Sequence, residues 1–166
     1  MAAAVTMWAT LQPCIVSAQN SGIGGDGFTR LMWRGTDYRI SLWALDPNLN
    51  AVVSHAYGPF PGWVPIAITT DRLNFTYVLW RFTDGTINLW LVDPVLNFVT
   101  SHVYGPYAGW IAKGLSADAG GGQNFRVIWR FTDGTVQVWD VDGNLNFVNA
   151  KSYGPFFGFD AGYLTE

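Results

Sequence analysis

Residues 75–110 read FTYVLWRFTDGTINLWLVDPVLNFVTSHVYGPYAGW, and the same pattern occurs twice more in the chain. FTRLMWRGTDYRISLWALDPNLNAVVSHAYGPFPGW opens at Phe28, and FRVIWRFTDGTVQVWDVDGNLNFVNAKSYGPFFGF opens at Phe125. Trp33, Trp80 and Trp129 correspond, as do Trp43, Trp90 and Trp139, and Tyr57, Tyr104 and Tyr153. The steps between units are 47 and 49 residues, the excess lying in the Gly-rich AGGGQN stretch at 119–124. A fixed period of this length is the mark of a repeat architecture.

Each unit reads as short strands with no helical period. FTYVLWRF is β-branched and aromatic, and Asp84-Gly85 after it is a hairpin signal. TINLWLVD alternates as a half-buried strand does and stops at Asp93-Pro94. NFVTSHVY runs into the turn at Gly105-Pro106. A fourth strand is read from Trp110 through IAKGLSA. QPCIVSA at 12–18 resembles VPIAITT at 64–70, and FDAGYLTE at 159–166 reads as another strand of the same kind, so one spare strand is expected.

The expectation is one all-β domain over 1–166: spare strand and lead-in at 1–27, then repeats at 28–74, 75–124 and 125–166. Three four-stranded units fit propeller-like blades, which would close by oligomerisation because a propeller needs about four to eight of them. A β-trefoil monomer is the alternative.

Composition narrows the function. Apolar residues make up 49% and charged residues 13%, which is the opposite of a disordered chain. With a net charge of −3 and nine scattered Lys and Arg, a nucleic-acid partner is not expected. No apolar run reaches the length of a membrane helix, so no membrane insertion is expected. Cys14 is the single cysteine, and no His/Cys spacing suits a metal, so no metal and no cofactor are expected. The N-terminus ends in VSA before Gln19, like a cleavage site. It lacks a basic start, however, and Thr6, Thr10, Gln12 and Pro13 interrupt it. A chain that is cytoplasmic, or released without a leader, fits this, with the compartment left open.

Nine Trp, seven Tyr and eleven Phe exceed what a core of this size requires, so some rings belong at seams or binding sites. In a strand, neighbours point to opposite faces. In Trp33-Arg34, Trp80-Arg81 and Trp129-Arg130 the Trp and the Arg therefore part ways. Arg34, Arg81 and Arg130 could pair with Asp37, Asp84 and Asp133, or these polar groups could meet sugar hydroxyls. Trp63, Trp110 and Phe159 follow Gly-Pro-aromatic-x-Gly turns, where a ring can pack in a seam or stack on a pyranose. Tyr57, Tyr104 and Tyr153 admit the same two roles, with hydroxyls that need partners if buried. His55 and His102 have no third copy, and nothing is singular to one unit, so an enzyme is not expected. Asp46, Asp93 and Asp142, with Asn50, Asn97 and Asn146, read as capped turns.

GGDGFTRLMW at 24–33 and GGGQNFRVIW at 120–129, with Trp110-Ile111-Ala112-Lys113, resemble tachylectin-type β-propeller lectins. The likeness runs from about residue 22 to the end. It departs at Asp71-Arg72-Leu73-Asn74, where Gly-Gly is missing, and at Val64-Pro65 after Trp63. The pattern is also similar to WRxTDGxxxLW…YGPxxGW repeats of bacterial proteins. Gln137-Val138-Trp139 resembles the Gln-x-Trp signature of ricin-type trefoil lectins, in one unit of three. The first resemblance implies blades with one shallow glycan site per repeat, acting multivalently as a homo-oligomer. The candidate sugar-binding set is then Trp63, Trp110, Phe159, Tyr57, Tyr104, Tyr153, Arg34, Arg81, Arg130, Asp37, Asp84 and Asp133. The other reading is a structural self-assembling protein using aromatic seams and strand exchange.

Overall fold

The computed structural model describes residues 26–117 and 124–161. Within them the chain forms three antiparallel sheets and no helix. The first holds β1 (Thr29–Arg34), β2 (Ile40–Leu45) and β3 (Ala51–Tyr57). The second holds β4 (Val64–Thr70), β5 (Thr76–Arg81), β6 (Ile87–Val92) and β7 (Phe98–Tyr104). The third holds β8 (Trp110–Ala117), β9 (Phe125–Phe131), β10 (Val136–Val141) and β11 (Phe147–Tyr153). The strands expected at 12–18 and 159–166 fall wholly or mostly outside the described residues.

The strand read last in each repeat opens the next sheet: β4 pairs with β5, and β8 with β9. Sheets are therefore offset from sequence repeats by one strand. β4 and β8 lie side by side, with the Ala117 amide donating to Thr69 Oγ1 at 3.0 Å. Burial falls from these inner strands outward, and β7 and β11 are almost wholly exposed. The sheets thus radiate from a common inner edge as propeller-like blades do.

Strand alternation assigns each residue of the second sheet to one of two cores. Val78, Trp80, Trp90 and Val92 face the first sheet and meet Met32, Ile40 and Leu42. Tyr77, Leu79, Ile87 and Leu89 face the third and meet Val127, Trp129 and Trp139. That is why β5 is buried on both faces while β1 is buried on alternate residues only.

The Asp-to-Asn turns behave as read. Asp46 Oδ1 accepts from the Asn48 and Asn50 amides, and Oδ2 from Asn50 Nδ2 at 3.1 Å, with matching bonds at Asp93 and Asp142. Each turn carries a leucine in the left-handed region: Leu49, Leu96 and Leu145, with φ of 64, 66 and 68°. This conformation disfavours a branched side chain. Leu96 and Leu145 are fully buried in the two cores, which offsets the strain. Leu96→Gly relieves the backbone but empties the seam, so it should lower stability by about 2–5 kcal/mol, as other buried leucine truncations do, in urea unfolding.

Candidate binding site

The loops before β4 and β8 bring the candidate aromatics to the sheet seams. Gly58, Gly105 and Gly154 take positive φ, and the Trp63, Trp110 and Phe159 amides donate to the Phe60, Tyr107 and Phe156 carbonyls. All three loops therefore hold one turn, and it presents rings at three-residue spacing: Tyr57-Phe60-Trp63, Tyr104-Tyr107-Trp110 and Tyr153-Phe156-Phe159.

In the first two loops these rings insert into the next sheet. Tyr57 donates its hydroxyl to the Leu96 carbonyl, and Tyr104 donates to that of Leu145. Burial pushes both phenols up from their ordinary value. Phe60 stands edge-on to Trp80 and Trp90, with centroids at 5.4 and 5.2 Å, and Tyr107 stands likewise on Trp129 and Trp139. Trp63 packs on Phe82 at 5.2 Å and Trp110 on Phe131 at 5.0 Å. The third set differs: Tyr153 and Phe159 are exposed.

Cavities open at the seams. One, of about 170 Å³, lies between the first and second sheets and is lined by Phe60, Trp63, Trp80, Asn88, Trp90, Phe98 and Ser101. Trp80 and Asn88 are register partners, so they share that face. Asn88 Oδ1 and Trp80 Nε1 are both buried with no hydrogen-bond partner. At the equivalent places Ser41 Oγ accepts from Trp43 Nε1 at 2.8 Å, and Gln137 Oε1 accepts from Trp139 Nε1 at 2.7 Å. Asn88 makes no such bond, and its oxygen is left unused.

Another cavity, of about 280 Å³, lies between the second and third sheets and is lined by Val64, Arg81, Phe82, Thr83, Gly85, Trp110 and Ile111. Here Trp110 and Arg81, two of the sequence candidates, come together.

The remaining candidates disperse. Asp37, Asp84 and Asp133 cap their own turns, accepting from the Arg39, Thr86 and Thr135 amides. Arg130 lies 3.6 Å from Asp160, which also accepts from Lys113 at 2.9 Å. Arg34 is half-buried on the first sheet. His55 and His102 stack on Tyr57 and Tyr104, and Lys151 takes their place over Tyr153.

Hydrogen bonds from Thr86, Thr135 and Asn50 hold Asp84, Asp133 and Asp46 below the usual carboxylate value of 3.8. A depressed native pKa means stability that is present above the unfolded value and lost as pH falls through the folded one. Acid unfolding should therefore steepen below about pH 4, and Asp84→Asn should flatten part of that slope in melting temperature measured against pH.

Sequence reasoning missed Phe60, Tyr107 and Asn88. The ring two places after each Gly-Pro glycine was the available signal for the first two.

No family model and no curated protein matches the chain. Among solved structures it is similar to a protein of unknown function from Bacteroides caccae, at 9% identity and a TM-score of 0.45, over 74% of this chain and 41% of that one. It is also similar to the WD40 domain of SCAP from fission yeast, at 14% identity and a TM-score of 0.47, over 86% of this chain and 36% of that one. The chain thus spans well under two thirds of either.

Proposed function

We propose that the protein is a non-enzymatic binding protein that takes carbohydrate in the seams between its sheets. The observation that carries this reading is the seam cavity of about 170 Å³, walled by five aromatic rings and containing a buried, unpartnered acceptor and donor. Sugars need this combination of an apolar platform for C–H faces and a few fixed polar groups for hydroxyls. A hydroxyl would donate to Asn88 Oδ1, the acceptor that sets this seam apart, since the indole N–H is unpartnered at Trp33 and Trp129 as well. Buried polar atoms left without a partner are rare, and a ligand is one way to satisfy them.

The Trp110–Arg81 cleft is the second site, wider and more polar at one wall. Weak sites of this kind act together on a glycan surface, where multivalency raises avidity by roughly 10² to 10⁴.

Glycan-array screening followed by titration of an Asn88→Leu variant tests the reading. Leucine keeps the shape of asparagine and removes the orphan oxygen, so stability should hold or rise. Affinity for the glycan found should fall by about tenfold or more, as expected when a buried hydrogen bond to a ligand is lost. Unchanged affinity in a folded variant, or a wild type that holds no glycan, would overturn it.

A further inference from the structure

The third aromatic loop and the open face of the first sheet are the two halves of a seam that the described residues make twice and leave unmade once. In the made seams a left-handed leucine is buried, a tyrosine hydroxyl caps its carbonyl, and the ring three residues on stands against a Trp pair. On the first sheet the leucine is Leu49, strained like the others yet 71% exposed, against 0% for Leu96 and Leu145. Its Trp pair is Trp33 and Trp43, at 5.6 Å, and both are only half-buried. On the third sheet Tyr153 is 44% exposed, Phe156 48% and Phe159 75%.

A strained backbone with an exposed apolar side chain finds no compensation among the described residues. The outermost pair of rings also changes in a matched way. Trp63 and Trp110 meet Phe82 and Phe131, whereas the unmade seam offers the smaller Phe159 and, on the other side, Gly35. Gly35 carries no ring to obstruct it.

We infer that the third sheet of one copy docks on the first sheet of a second copy, Tyr153 donating to the Leu49 carbonyl and Phe156 standing beside Trp33. The contact is head-to-tail and continues the two intrachain seams, so it repeats the same rotation. Two copies then close a circle of six sheets, within the four to eight that propellers hold, while three copies would exceed it. This inference stands apart from sugar binding, and its test needs no glycan.

Native mass spectrometry and light scattering on the full chain should give twice the chain mass of 18.3 kDa. Leu49→Asp and Phe156→Asp alter exposed side chains, so each should keep the wild-type aromatic circular dichroism while its mass returns to that of one chain. An equimolar mixture of the two variants retains one intact pair of faces and should regain the doubled mass. A monomeric wild type, an open polymer, a variant mass that stays doubled, or a mixture that stays monomeric would each overturn the inference. Tyr153→Phe, a milder change, should raise the dissociation constant about tenfold, the scale of one buried hydrogen bond. No change there would remove Tyr153 from the contact.

Discussion

Replacing Trp129 with alanine is expected to cost about 3–5 kcal/mol of stability. Its indole is 1% exposed and stands between Trp139, at 4.7 Å, and Tyr107, at 5.6 Å, so the loss empties the core shared by the second and third sheets. Its N–H has no partner, which removes one offsetting cost and places the value toward the lower end of the range. Trp33→Ala makes the control. It is the same residue in the repeat, but half-buried. In urea unfolding at concentrations where single chains prevail, it should cost clearly less than Trp129→Ala. Equal losses would mean that the seam contributes nothing beyond burial within one sheet.

Tyr104→Phe is expected to cost about 1–3 kcal/mol, although it removes a single oxygen. The Leu145 carbonyl it caps belongs to a fully buried residue, and phenylalanine leaves that acceptor without a donor inside the seam. Tyr153→Phe should be close to neutral in the single chain, because that hydroxyl lies on an exposed ring. The contrast between two chemically identical changes separates the hydrogen bond from the ring. Alkaline pH should repeat the result without mutation. The Tyr104 phenol is held above its ordinary value by burial, so its contribution is present below about pH 10 and lost as pH rises through the folded value.

Much of the architecture is legible in the chain. Asp-Gly turns, Gly-Pro turns and two-residue alternation mark nearly every strand described. What alternation cannot convey is which neighbour a strand pairs with. Trp110–Ala117 is covalently as close to the second sheet as to the third, and only the ladder with β9 decides. The seam partners are hidden for a similar reason. Tyr107 meets Trp129 across 21 intervening positions in sequence terms but side by side in space, and no local pattern announces it. Leu49, Leu96 and Leu145 were the signal that went unread: an apolar residue recurring inside an otherwise polar Asp-to-Asn turn, where a left-handed backbone favours Gly or Asn. Asn88 shows the reverse. Its place is clear from Ser41 and Gln137, but that its oxygen lacks a donor is visible only once the side chains are packed.

The handing-on of a tyrosine hydroxyl from one sheet to a leucine carbonyl of the next has a consequence for how such a chain can change length. Each sheet recognises only the sheet after it, through groups that every repeat carries. A further copy of the unit spliced at the Gly-Pro loops would find a receiving face ahead and a presenting loop behind, with no third contact to satisfy. In the two-copy ring inferred above, the number of sheets is set by how many must pass before the circle meets itself, and not by anything written inside a single repeat. Duplication and loss of whole units become small steps, neutral for the packing of those that remain.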